Sequence, residues 1–242
     1  MNGVFDDLYD VADACLLPIV QDPANRGRSW DQCYKFFRRY GDWNEEQRQE
    51  NRDFACLRLG FYLASWGMFR GSGALIHKDH TIYGRIIDLL FADDYEELRH
   101  ANFFEGLLTD DNALLPDDQR IGLIFTLKAA VCGYVNGLTV IRGPSQHPEE
   151  VTCSDTLVTK ILLGTLACTP AYDTNFPNGL AACDIEGCGH FTPECLTNLL
   201  NVCREHHLWQ TLANEPIQYY DVTYPAMRVV DLYFWYKGRP NP

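Results

Sequence analysis

Apolar residues recur along this chain mostly at helical spacing. Between Val4 and Leu17, the positions Phe5, Leu8, Ala12, Cys15 and Leu16 approximate one face, and Pro18 is expected to end that helix. A loop rich in Pro, Asn and Gly leads into SWDQCYKFFRRYG, residues 29–41. There Ser29 and Gln32 have capping-box spacing, Trp30, Cys33, Phe36 and Phe37 make an apolar stripe, and Gly41 suits the stop. Asn44 is placed to cap the longest predicted helix, through about Trp66. Its first turns, EEQRQENRD, are polar and its second half, FACLRLGFYLASWGM, is apolar, so a solvated start runs into a buried end. Gly67, Gly71 and Gly73 break it.

Shorter helices are predicted over 82–91 and 94–102, and another over 116–135 with Ile121, Ile124, Phe125 and Leu127 inward. Ser154 or Asp155 can cap TLVTKILLGTLA, and a short turn covers 174–180. Thr192 followed by Pro193 opens a helix to about Ala213, and a last helix starts after Pro225 and stops at Gly238. Only IQYYDVTY, 217–224, carries a weak strand signal. The pattern predicts an all-α, compact multi-helix domain of about eight or nine helices over 1–242. The loop IRGPSQHPEE, 141–150, is the expected joint between two helical halves, 1–140 and 151–242.

Composition supports a sizeable core: the 242 residues are 46% hydrophobic and 13% aromatic. Charge narrows the partners. With 33 acidic against 20 basic residues the formal charge is -13, so the average surface repels phosphate backbones and anionic membranes, while a local basic patch stays open. No apolar run reaches the roughly 18 residues of a membrane span, and the N-terminus carries acids where a signal peptide carries Lys or Arg. A cytoplasmic protein without membrane contact is expected, its ten cysteines reduced and mostly in the core.

Several clusters have the residue types that chemistry requires. Cys183, Cys188, His190 and Cys195 could together ligate zinc, but their spacing lacks paired CxxC knuckles, and ordinary loop and helix residues are the expectation. Glu97 and His100 form half of a di-iron pattern whose second half is absent, and His77 and His80 read as polar loop. Nucleophile-elbow, Walker, HExxH and strand-led GxGxxG motifs are missing, so neither cofactor nor resident metal is expected. In SWGMFRGSGALI, backbone N–H groups of Gly71, Ser72 and Gly73 with the charge of Arg70 could hold a phosphate or carboxylate; a tight helix corner is the other reading.

The stretch DTLVTKILLGTLACTPAYDTNF places a lysine in an apolar helix and an aspartate after the following proline. This resembles the lysine helix and aspartate of the helix-hairpin-helix DNA glycosylases over residues 154–180. CSDTLVT stands in place of that family's glycine hairpin, and the lysine-to-aspartate interval is shorter. The resemblance implies Lys160 as nucleophile on the sugar's anomeric carbon and Asp173 as its electrostatic or proton-relay partner. Without it, Lys160 reads as a snorkelling residue and Asp173 as a helix cap. LASWGMFRGSG, TLACTPAYD and YPAMRVVDLYFW are also similar to motifs of a group of uncharacterised bacterial all-helical proteins, which implies a bacterial helical protein and no activity.

Two functions follow as expectations. One is a glycosylase-like enzyme, or a degenerate relative, acting on a nucleobase–sugar bond of a nucleotide or nucleic acid through Lys160 and Asp173, with Trp66, Arg70, Ser72 and Tyr172 binding a phosphate-containing ligand. The other is a non-catalytic acidic binding protein for a protein partner or small anion, as in stress response or phage conflict, with aromatics near Trp209, Tyr219 and Tyr220 either on its surface or packed inside. Asp231, on one side of the last helix with Met227, Val230 and Phe234, is expected to be buried and paired with an arginine such as Arg70.

Overall fold

The computed structural model describes residues 3–69, 77–99, 117–141 and 147–240. The fold is predominantly all-α. Its helices are α1 (Leu8–Gln21), α2 (Arg28–Asp42), α3 (Glu45–Glu50), α4 (Arg52–Ser65), α5 (Tyr83–Leu90), α6 (Asp117–Asn136), α7 (Asp155–Thr165), α8 (Asn175–Ala182), α9 (Pro193–Glu205), α10 (Leu208–Asn214) and α11 (Ala226–Lys237). Single 3₁₀ stretches cover His80–Ile82 and Asp93–Arg99.

Three helix starts are set by their own caps. Asn44 forms a full capping box with Gln47, Ser154 Oγ accepts the Leu157 N–H at 3.1 Å, and Thr192 Oγ1 accepts that of Cys195 at 3.1 Å with Pro193 in the first turn. Four boundaries differ from the pattern. Pro18 lies inside α1; it and Ala14 are on the exposed side, so the carbonyl that loses its helical donor there is open to water. Ser29 is the second residue of α2, not its cap, because the chain already turns at Asn25, whose Oδ1 accepts the Gly27 N–H at 2.9 Å.

The long helix expected from Asn44 divides at Asn51, whose Nδ2 takes the Gln47 carbonyl at 2.9 Å. The helix expected to reach Ala213 divides at His206 and His207, the latter left-handed at φ 52°. These two breaks, with α8 helical, raise the number of α-helices above that expected, although Asp93–Arg99, where a helix was predicted, is a 3₁₀ stretch.

Two short hairpins complete the described residues. Strand β1 (Thr139–Ile141) pairs antiparallel with β2 (Pro148–Glu150), and β3 (Gln218–Tyr219) with β4 (Val222–Thr223). The first hairpin occupies both ends of the expected joint, 141–150, without an alternation in sequence to signal it; residues 142–146 lie outside the described ones. Helices from the two sides of that joint pack together: α1 on α11, α2 and α4 on α7, and α6 on α7 and α9.

The closest approaches are made over glycine. A Cβ at Gly179 of α8 would stand 1.7 Å from the Phe234 carbonyl oxygen of α11, and one at Gly164 of α7 would stand 2.3 Å from the Tyr62 ring of α4. Around these crossings the core gathers Trp30, Phe37, Leu59, Tyr62, Phe176, Leu196 and Phe234. Gly179→Ala should therefore lower stability by about 3 kcal/mol, because backbone cannot yield as a side chain can. Gly122→Ala, in open space on the exposed face of α6, should raise it by about 0.5–1 kcal/mol. Urea denaturation of both variants checks the pair.

Candidate functional site

Helix α7 is buried from Leu157 to Thr165, so the lysine within it has no exposed face to reach from. The chain leaves α7 by a sharp reversal in which Ala167, left-handed at φ 51°, donates its N–H to the Leu162 carbonyl at 2.9 Å. Two threonines of α7 then hold the returning loop. Thr159 Oγ1 accepts the Tyr172 N–H at 2.8 Å, and Thr156 Oγ1 donates to the Tyr172 carbonyl at 2.7 Å. This staple sets the next residue, Asp173, against Lys160, with Nζ and Oδ2 3.5 Å apart.

Lys160 Nζ also donates to the Trp66 carbonyl at 3.2 Å, at the end of α4. The lysine side chain is 6% exposed and that of Asp173 22%. Burial lowers the lysine's pKa below its ordinary value, while the charges of Asp173 and Asp231 pull the other way.

Beneath the pair, α11 supplies a buried ion pair. Arg228 Nη1 donates to Asp231 Oδ2 at 2.6 Å, and Asp231 Oδ1 accepts the Ala171 N–H at 2.9 Å. Burial pushes the Asp231 carboxyl up to about 6, against the pull of Arg228 and the Ala171 N–H. The Arg228 guanidinium lies 4.7 Å from the Trp30 ring centre and 5.6 Å from that of Trp66. Among the described residues the partner of Asp231 is Arg228, which shares its helix at i,i+3 spacing and needs no second element to meet it; the expected partner Arg70 lies outside them.

These groups line a pocket of about 160 Å³, together with Arg26, Trp235 and Arg239. Trp66 forms part of the wall, with the Arg26 guanidinium 5.5 Å and Lys160 Nζ 5.7 Å from its ring centre. Trp66 Nε1 and Arg228 Nε are buried without a hydrogen-bond partner among the described residues. Donors left open beside a pocket suit a ligand that brings acceptors.

Of the residues singled out from sequence, Lys160, Asp173 and Trp66 meet in this pocket. Tyr172 does not line it. Its ring sits in the core 4.9 Å from both Phe176 and Phe191, and its hydroxyl is 2.6 Å from Cys195 Sγ, because the threonine staple turns the backbone at Tyr172 and sends successive side chains to opposite sides. Arg70 and Ser72, with Gly71 and Gly73, lie outside the described residues. Arg26, Arg228 and Arg239 were missed; for Arg228 the signal was a cation three positions before Asp231 in the otherwise apolar AMRVVDLYFW.

The other clusters resolve differently. Cys188 and Cys195 are joined in a disulfide, which corrects the expectation of ten reduced thiols, and no group of three or more His, Cys, Asp or Glu among the described residues is arranged to hold a metal ion. The pair comes together because Cys195 opens α9 while Cys188 is carried back over it, with Cys188 Sγ 3.5 Å from the Cys195 carbonyl. His80 Nε2 lies 2.6 Å from Asp53 Oδ1, and His100 is outside the described residues. Trp209 is buried in the core, whereas Tyr220 is half exposed. No helix among the described residues is long and apolar enough to cross a membrane.

Comparison of the chain with family models, with curated proteins and with solved structures finds no match. Asp231→Ala should cost about 3–5 kcal/mol in urea denaturation, since it strands the Arg228 guanidinium in the core. Asp7→Ala, which removes the half-exposed partner of Lys237, should cost less than about 1 kcal/mol.

Proposed function

We propose that this chain is a glycosylase-like enzyme acting on a nucleobase–sugar bond of a nucleotide or nucleic acid, with Lys160 as amine nucleophile and Asp173 as its electrostatic partner. The observation that carries the reading is the meeting of these two side chains, 3.5 Å apart, in the wall of a pocket. Only an unprotonated amine has a lone pair to donate, and burial moves Lys160 toward that form. The carboxylate of Asp173 would stabilise the positive charge that develops on the sugar as the base departs with the electrons of its bond. Attack of Nζ on the anomeric carbon and opening of the sugar ring then give an iminium that water releases.

The rest of the pocket supports an anionic substrate. Arg26, Arg228 and Arg239 supply positive charge, and Trp66 and Trp235 supply ring surface for a planar base. The resemblance of residues 154–180 to the helix-hairpin-helix DNA glycosylases points the same way. The net charge of -13 favours a small or locally presented substrate over a long duplex.

A second reading, a non-catalytic acidic protein that binds another protein, draws on the outer side of α4. Phe54, Leu57 and Phe61 are 44%, 45% and 67% exposed there, at spacings that place them near one another on the helix. Capture of a stable partner that survives Lys160→Ala and Asp173→Ala but fails with Phe61→Asp would favour it.

Borohydride trapping tests the enzyme reading. Incubation with abasic DNA or with a nucleoside, followed by reduction, should yield a covalent adduct at Lys160, lost in Lys160→Ala and formed about 100-fold more slowly in Asp173→Asn. Because folding lowers the lysine's pKa, the trapping rate should rise with pH and level off below the ordinary lysine range. The sign for stability is the same: between the folded and unfolded pKa the unfolded chain holds the extra proton, so this group's contribution improves as pH rises through that window. No adduct with either substrate, or an undiminished adduct in Lys160→Ala, would overturn the mechanism.

A further inference from the structure

A pair of thiols far from the lysine in sequence role and chemistry lies where α6 ends and α7 begins. Cys132 is in the last turns of α6, and Cys153 precedes Ser154, the residue that caps α7. Their sulfurs are 2.9 Å apart and neither residue is fully buried. The contact is held from both sides. The Cys153 N–H donates to Asn136 Oδ1 at 2.7 Å, the Val151 N–H donates to the Leu138 carbonyl at 3.2 Å, and Lys128, one turn before Cys132, pairs with Asp155 at 2.7 Å. The β1–β2 hairpin spans the interval between the two cysteines.

We propose that Cys132 and Cys153 form a peroxide-reactive dithiol, which a hydroperoxide closes into a disulfide joining α6 to the start of α7. Bond formation needs the sulfurs to approach from 2.9 Å to about 2.05 Å, less than the play of a side chain. Cys132 is the attacking sulfur. Its contact with Cys153 and the charge of Lys128, one helical turn away, lower its pKa, whereas burial raises those of Cys15, Cys33, Cys56, Cys168, Cys183 and Cys203.

The chemistry balances as a two-electron oxidation of the dithiol. The Cys132 thiolate attacks one peroxide oxygen, the O–O bond breaks, and the departing alkoxide or hydroxide takes a proton, leaving a sulfenic acid. The Cys153 sulfur then attacks Cys132, the S–O bond breaks and the S–S bond forms. The sulfenic hydroxyl leaves as water with the Cys153 proton. The hydroperoxide is the only co-reactant, and an external dithiol reverses the bond.

Peptide mapping of the full chain tests this. The protein is titrated with hydrogen peroxide, quenched with an alkylating reagent and digested. A Cys132–Cys153 linked peptide should appear at peroxide levels that leave Cys15 and Cys183 alkylated, with the loss of two thiols per chain, and should disappear on dithiol treatment. In Cys153→Ser the Cys132 sulfenic acid should persist long enough to be trapped by a cyclic 1,3-dione, and in Cys132→Ser no linked peptide should form. A chain isolated with the bond already present should open with dithiol and close again with peroxide, to the same effect. Absence of the linked peptide, or oxidation of Cys15 and Cys183 at the same peroxide level, would overturn the proposal. This outcome is independent of any adduct at Lys160.

Discussion

A carboxylate removed from water must have its oxygens satisfied, and Asp231 imposes that condition on the centre of this fold. One oxygen takes the Arg228 guanidinium and the other takes the Ala171 backbone N–H. The first contact keeps an arginine inside α11; the second decides where the loop after α7 passes. Asp173 follows two residues later along that loop, so its meeting with Lys160 depends on an ion pair that neither residue belongs to. Trp30 and Trp66 flank the same arginine and complete a layered arrangement of ring, cation and carboxylate.

The second constraint is distance between helices. Gly179 lets α8 lie directly on the backbone of α11, and Gly164 gives the Tyr62 ring its place against α7. With both helices held this closely, the threonine staple at Thr156 and Thr159 has little freedom in where it sets the loop. Against such tight packing, a lysine shifted toward its neutral form and buried donors without partners among the described residues are local departures from the optimum for stability. Such departures concentrate where a protein binds or reacts.

Charge separates the pocket from the surface around it. The chain as a whole carries -13, yet the pocket is lined by Arg26, Arg228 and Arg239 against Asp173 and Asp231. A long polyanion meets the repulsion of the whole surface, whereas a small anion that enters meets mainly the cations. On the proposed reading, the pocket's size and charge suit a compact ligand whose acceptors engage groups such as Arg228 Nε and Trp66 Nε1.

The sequence alone determined the helical class and the starts of α3, α7 and α9, since the caps Asn44, Ser154 and Thr192 act within one turn of their own residues. It also singled out Lys160 and Asp173, while allowing them to be a snorkelling lysine and a helix cap. The breaks at Asn51 and His207, the continuation of α1 through Pro18 and the burial of Tyr172 were not legible, because each depends on neighbours supplied by the folded chain. The same holds for Arg228 as partner of Asp231: the i,i+3 spacing was present in the sequence, but only packing shows that both side chains are buried together. Tertiary structure decided which residues share the pocket, because periodicity and caps are short-range signals whereas a pocket is made by side chains brought from α1, α4, α7 and α11 across long intervals of chain.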